Sequence, residues 1–140
     1  MASLGLSAGI YALHPGILPA AAAFCAGTIV DADHLLDLWV YQRHRPQGEK
    51  LMHVFDNHTW VRSFLLLHGF EFVPLLALPI FLAEHPWPWI GLFSGYLLHL
   101  LMDIAGNRCF PMTYFLLYRL YRGFDARYCW WDSHPPGTPW

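Results

Sequence analysis

An all-α bundle embedded in a membrane, with about three spanning helices and short interfacial helices near its N- and C-terminal ends, is predicted by three features of this 140-residue chain. Hydrophobic residues make up 56% and charged residues only 13%, about half the charged share of an ordinary soluble domain. Three predominantly apolar runs are long enough to cross about 30 Å of hydrocarbon. The basic residues sort to one side of the layout that those runs define. The length fits one domain, read as residues 1–129, followed by an irregular Pro-rich tail at 130–140. With 8 Lys+Arg against 10 Asp+Glu and a net charge of −2, the chain has no basic field for a nucleic-acid partner. Cys25, Cys109 and Cys129 show no paired spacing, so neither a disulfide scaffold nor a thiolate zinc site is indicated.

The elements follow in order. MASLGLSAGIYAL at the N-terminus is too short to cross alone and lacks the basic region of a signal peptide, which makes it a packed or interfacial helix. His14-Pro15-Gly16 ends it, and Gly5 and Gly9 offer it a close-approach face. Residues 17–41 are apolar in their first half and carry Asp31, Asp33, His34 and Asp37 in the second. Residues 64–83 read as a transmembrane helix interrupted only by His68 and Glu71. Pro74 should crowd the Phe70 carbonyl and kink that helix. Residues 89–106 form another span, whose Gly91 and Gly95 let a neighbouring helix come close. Residues 111–122 place Pro at a helix start and mix aromatics with Arg119 and Arg122, as an interfacial helix would. Trp39, Tyr41, Trp87 and Trp89 suit interfacial belts.

If the spans alternate, Arg43, Arg45, Lys50 and Arg62 lie between the first and second, and Arg108, Arg119, Arg122 and Arg127 follow the third. Loop 84–88 has neither Lys nor Arg, so the basic side is cytoplasmic under the positive-inside rule.

Mean hydropathy is only +0.32, largely because histidines and acids lie inside the apolar runs. Helix rise converts position into depth: His68 lies roughly 9 Å in from Arg62, Asp103 and His99 roughly 7 and 13 Å from Arg108, and Asp37 and Asp33 roughly 9 and 15 Å from Arg43. Three segments thus bring ionisable groups to one cytoplasmic-side layer, where burial without a partner is expensive. His99 and Asp103 are i, i+4. His68 and Glu71, and Asp31 and His34, are i, i+3, so each pair shares a helix face. A lone helical His is more often a packing residue; the joint depth of HxxxD, HxxE and DxDH points to metal or proton chemistry. Imidazole with carboxylate suits zinc, with manganese or iron as alternatives, and the number of acids suggests more than one ion. His58 is a further candidate that could fold over the site, His53 and Asp56 weaker ones. His14, His85 and His134 read as loop residues.

VDADHLLDLW, the LHGFE at 67–71, GYLLHLLMDIAGN at 95–107 and PMTYFLLYRLYRGF at 111–124 together resemble the bacterial inner-membrane family labelled membrane-bound metal-dependent hydrolases, the YdjM-like proteins. The likeness runs from about Gly27 to Phe124. Its D-x-D-H corresponds to that family's PDxDH, with Val30 in place of the proline, and the family's HRGxTHS segment survives only as Asp56-Asn57-His58-Thr59-Trp60. The resemblance implies ligand roles for Asp31, Asp33, His34, His99 and Asp103. More distantly, HxxxD is similar to that element in zinc-dependent phospholipase C, an all-helical phosphodiesterase.

The expected function is that of a membrane-embedded hydrolase of the bacterial inner membrane, its site toward the cytoplasm, cleaving a phosphoester of a lipid or lipid-linked substrate with a zinc-activated water. Asp31, Asp33, His34, His58, His68, His99 and Asp103 are the expected metal ligands, with Asp31 also placed to bridge a second ion. Glu71, one helical turn from His68, is the expected general base. Arg43, Arg45 and Arg62 could hold the phosphate, and a homo-oligomer is compatible with the layout. Two alternatives are a haem-binding or electron-transfer protein with His68 and His99 as axial ligands, and a proton-coupled transport subunit.

Overall fold

The structure, a computed structural model, describes residues 2–14, 16–44 and 62–131, the side chains of 41–44 excepted. His53, Asp56, His58, Arg45 and Lys50 lie outside the described residues, as does the chain beyond Trp131, and Arg43 is described only in its backbone. All regular structure among the described residues is helical: α1 (Ala2–Leu13), α2 (Ile17–Ile29), α3 (His34–His44), α4 (Phe72–Leu82), α5 (Trp87–Gly106) and α6 (Leu116–Tyr121), with 3₁₀ turns at Val30–Asp33, Pro111–Tyr114 and Ala126–Tyr128. Two isolated antiparallel bridges, Arg62 with Asp125 and Cys109 with Trp130, tie the loops together. Of the described helices, α5 alone is both long and apolar enough to cross a membrane.

The packing of α2 on α5 is set by a row of small residues. A Cβ added to Gly91 would stand 2.1 Å from the Pro19 carbonyl oxygen, and one added to Gly95 would stand 2.1 Å from that of Ala23. The next pair along the two rows, at i+4 on each helix, is Gly27 and His99, whose Nδ1 lies 3.0 Å from the Gly27 carbonyl. The close approach that glycine permits therefore fixes where His99 points. Helix α1 crosses α2 at the same place, with Ser3 Oγ donating to Gly27 O at 3.3 Å. Gly5 and Gly9, by contrast, have nothing within 4 Å of an added Cβ, so the close-approach face expected on α1 is not formed by them. Alanine at Gly95 should accordingly force the helices apart and destabilise the fold by about 3 kcal/mol or more, beyond ordinary overpacking. Alanine at Gly5 and Gly9 should add about 0.5–1 kcal/mol each through helix propensity. Thermal denaturation in detergent, comparing the two sets, reads the difference.

The largest departure from the sequence reading is at residues 64–83. A continuous helix is expected there, yet α4 begins only at Phe72, and residues 63–71 form an irregular loop that is buried at Ser63, Leu65, His68 and Gly69 and exposed at Leu66 and Leu67. Its backbone groups are paired by other parts of the chain. The Phe64 amide donates to Asp37 Oδ1 at 2.7 Å and the Leu67 amide to Asp33 Oδ2 at 2.7 Å. The Gly69 amide donates to Tyr96 Oη at 3.2 Å, and the single O–H of that tyrosine is shared between the Leu67 and Gly69 carbonyls at 2.8 and 2.7 Å. Ser63 N–H and Phe70 N–H reach the carbonyls of Phe124 and Tyr114. Buried backbone must be paired, and an irregular segment is tolerated where side chains do the pairing. Leu65 sits there at φ 43°, in the left-handed region. Pro74 consequently falls in the first turn of α4, where no intrahelical bond is lost; only Pro79 lies well inside the helix.

Candidate metal centre

The loop is held chiefly by Arg119, which the sequence reading placed at an interface and which is in fact 0% exposed. Its Nε donates to Phe64 O at 3.1 Å and Nη1 to His68 O at 3.0 Å. Further bonds run from Nη1 to Thr113 O and from Nη2 to Leu65 O. Burial pulls the guanidinium below the usual arginine value, while Cys129, Glu71, Asp33 and Asp37 oppose that shift. One planar fork thus binds four carbonyls, a task suited to arginine and not to lysine. The sequence signal was present: Arg119 sits in the apolar face of FLLYRLY, where a charge needs a partner.

So held, the loop presents His68, 1% exposed, to the ends of α2 and α5. His68 Nδ1 lies 3.0 Å from Asp33 Oδ2, and a carboxylate can only accept, so Nδ1 carries the proton. His99 Nδ1 faces the Gly27 carbonyl, which likewise can only accept. Both imidazoles are thereby fixed with the Nε2 lone pair free. The two Nε2 atoms are 3.2 Å apart. Asp103 Oδ2 lies 3.1 Å from His68 Nε2 and 3.3 Å from His99 Nε2. Asp31 Oδ1 lies 3.3 Å from His99 Nε2 and 3.8 Å from His68 Nε2.

Four atoms with lone pairs therefore converge from three segments. Tetrahedral zinc with ligand bonds of about 2.0–2.1 Å has ligand-to-ligand edges of about 3.3–3.4 Å, close to the 3.2, 3.1 and 3.3 Å that separate His68 Nε2, His99 Nε2 and Asp103 Oδ2, while Asp31 Oδ1 faces the two imidazoles from the exposed side. The donor set is the mixed N/O kind that zinc accepts, and the anchoring of each Nδ1–H by a carboxylate or carbonyl is the usual outer support of a metal-binding histidine. Asp33 Oδ1, buried without a hydrogen-bond partner among the described residues, leaves a further unmet negative site at this layer. The residues present fit a divalent cation.

Not every expected ligand enters this set. His68, His99, Asp103 and Asp31 converge. Asp33 stands behind His68. Although Asp33, His34 and His68 offer ligand atoms within 4.8 Å of one another, His68 Nδ1 and Asp33 Oδ2 are paired to each other, which makes Asp33 an orienting group. His34 lies beside the set, its Nε2 3.9 Å from Asp31 Oδ1 and its ring centroid 5.1 Å from that of His68. His58 is outside the described residues. Glu71, expected as general base, is instead a cap: Oε2 accepts from Leu116 N at 3.0 Å and Oε1 from Leu117 N at 2.9 Å, at the start of α6. Its i, i+3 relation to His68 assumed a helix that does not exist there. Arg62 is exposed and bridged to Asp125 through its backbone, and Arg45 is outside the described residues. The side-chain exposure of Asp31, 57%, marks the open side of the cluster.

The same geometry disfavours an axial haem pair. Trans ligands on one ion stand about 4 Å apart with bonds of about 2 Å, and a porphyrin must fit between the two rings. The His68 and His99 rings are inclined at 62° with centroids 5.2 Å apart, and their Nε2 atoms are only 3.2 Å apart. Comparison with known proteins finds no matching family model, no matching curated protein and no matching solved structure.

Proposed function

We propose that this chain is a membrane-embedded, zinc-dependent hydrolase that cleaves a phosphoester of a lipid or lipid-linked substrate, akin to the membrane-bound metal-dependent hydrolases that its motifs resemble. The observation that carries the reading is the meeting of His68 Nε2, His99 Nε2, Asp103 Oδ2 and Asp31 Oδ1, with both Nδ1–H groups already committed elsewhere. When bound there, zinc supplies Lewis acidity to a phosphoryl oxygen and to water.

The chain's own groups supply the rest. Asp33 and the Gly27 carbonyl hold the two imidazoles in one tautomer and orientation. Asp103 adds negative charge within 3.3 Å of both. A cation held by His68, His99 and Asp103 would keep its fourth position toward Asp31, and Asp31, on the exposed side, is placed to accept the proton released as water adds to phosphorus and to pass it to the alcohol oxygen that departs as the ester P–O bond breaks. It takes the general-base role first assigned to Glu71.

In the bilayer, α5 and the near-continuous helical run from α2 through α3 make two crossings. Helix α4, with no buried residue and with Leu75, Leu78, Phe81 and Leu82 exposed, makes the third together with loop 63–71. Irregular backbone at that depth is acceptable because protein side chains satisfy it. The purified chain should hold zinc through desalting and hydrolyse bis(p-nitrophenyl) phosphate. Chelation should abolish the activity and added zinc restore it. Hydrolysis that persists in full after zinc has been stripped would refute the reading.

A further inference from the structure

We infer that the apolar groove beside the donor set holds a single acyl chain of the substrate, whose polar head then lies at His68, His99 and Asp103; the inference rests on the hydrolase reading and names its substrate class as a one-chain-in-groove phosphoester amphiphile. The groove is a cavity of about 340 Å³ between α2, α4 and α5, with Ala22, Ala26, Ile29, Leu67, Phe72 and Tyr96 among its walls. The Tyr96 hydroxyl is turned into the Leu67 and Gly69 carbonyls at 2.8 and 2.7 Å, so the wall it presents is its ring. A lining of this kind gives water no partners and favours hydrocarbon.

The groove is not an isolated greasy patch, because its α5 wall leads to the donor set: Leu92 and Tyr96 line it, and His99 and Asp103 follow Tyr96 at i+3 and i+7 on the same face of that helix. Along α2 the groove runs from Ala22 to Val30, about 12 Å of helix, and the alanines at 22 and 26 leave the width. A ligand that fills it must be apolar along its length and can be polar and anionic only at the end where Asp31, His68 and a bound cation meet. That is the form of a phosphorylated single acyl or alkyl chain. Bulk bilayer lipid has no reason to align its head with that end.

Cys25 lines the groove and is exposed, whereas Cys109 and Cys129 are buried, so alkylation of the full-length native chain reports on the groove without substitution. The experiment measures the rate of Cys25 modification by N-ethylmaleimide in zinc-loaded protein kept in an amphipathic polymer. Dodecylphosphonate should slow it about tenfold at about ten times its Kd. Methylphosphonate and dodecanol should have little effect, and chelation of zinc should remove the protection. Equal protection by dodecanol with or without zinc would overturn the proposal in favour of nonspecific lipid. Protection that follows protein concentration would overturn it in favour of a second copy, and absence of protection by dodecylphosphonate would overturn it outright. Hydrolysis of bis(p-nitrophenyl) phosphate, measured in parallel, separates the two readings. Zinc-dependent protection without hydrolysis supports the groove and refutes the hydrolase, while hydrolysis without protection refutes the groove alone.

Discussion

Arg119→Met should leave the chain unable to fold. The substitution keeps the apolar length of the side chain and removes the donors to Phe64, Leu65, His68 and Thr113 carbonyls, all in a region where Leu65, His68 and Thr113 are at most 2% exposed. A buried acceptor left without its partner costs about 1–3 kcal/mol; Leu65 O keeps the His68 amide, so the other three cost on the order of 3–9 kcal/mol, against a total stability of about 5–15 kcal/mol for a domain. Arg119→Lys retains the charge but cannot fork to four carbonyls, and should fold with His68 loosely placed and zinc affinity lowered. Circular dichroism melting and zinc titration of the two variants separate these outcomes. A methionine variant melting within a few degrees of the native chain would show that the loop is held by something else.

The second large effect is expected in the His99→Ala, Asp103→Ala double variant. Both side chains project from α5 one turn apart, and neither contributes to the Gly91 and Gly95 contacts that seat α5 on α2. The fold should therefore survive. Two of the four converging atoms are gone, however, and a catalytic zinc site generally needs three protein ligands. Bound zinc should fall to background, and phosphodiester hydrolysis should drop by about a thousandfold or more, the scale on which removal of essential groups acts. Full activity in the double variant would eliminate the metal-centred reading. Loss of activity with one zinc still bound would place the ion elsewhere in the chain.

Legibility in the sequence follows the physics of each segment. The small residues at 91 and 95 and the uninterrupted apolar stretch around them identify α5, because a helix is the only spanning form that satisfies its own backbone. The i, i+4 spacing of His99 and Asp103 is likewise readable, since both belong to one long helix. Loop 63–71 is not: FLLLHGFEF is apolar enough for a buried helix, and periodicity cannot separate that from a buried irregular segment paired by remote side chains. Asp33, Asp37, Tyr96 and Arg119 do the pairing, and their partners are separated from them by between 27 and 55 positions. The misassignment of Glu71 follows from the same cause. His68 meets His99 and Asp103 although the helix expected to carry it is not there, because the loop brings it to them in a different conformation. Gly5 and Gly9 share the spacing of Gly91 and Gly95 but face no neighbour, which spacing alone could not reveal.

The most direct test is zinc K-edge X-ray absorption on the full-length, zinc-loaded protein. Two imidazole nitrogens and two carboxylate or water oxygens at about 2.0–2.1 Å, with no sulfur at about 2.3 Å, are the expected result, reduced to one imidazole in His68→Ala. A first shell containing sulfur, or a spectrum unchanged in both His68→Ala and His99→Ala, would contradict it.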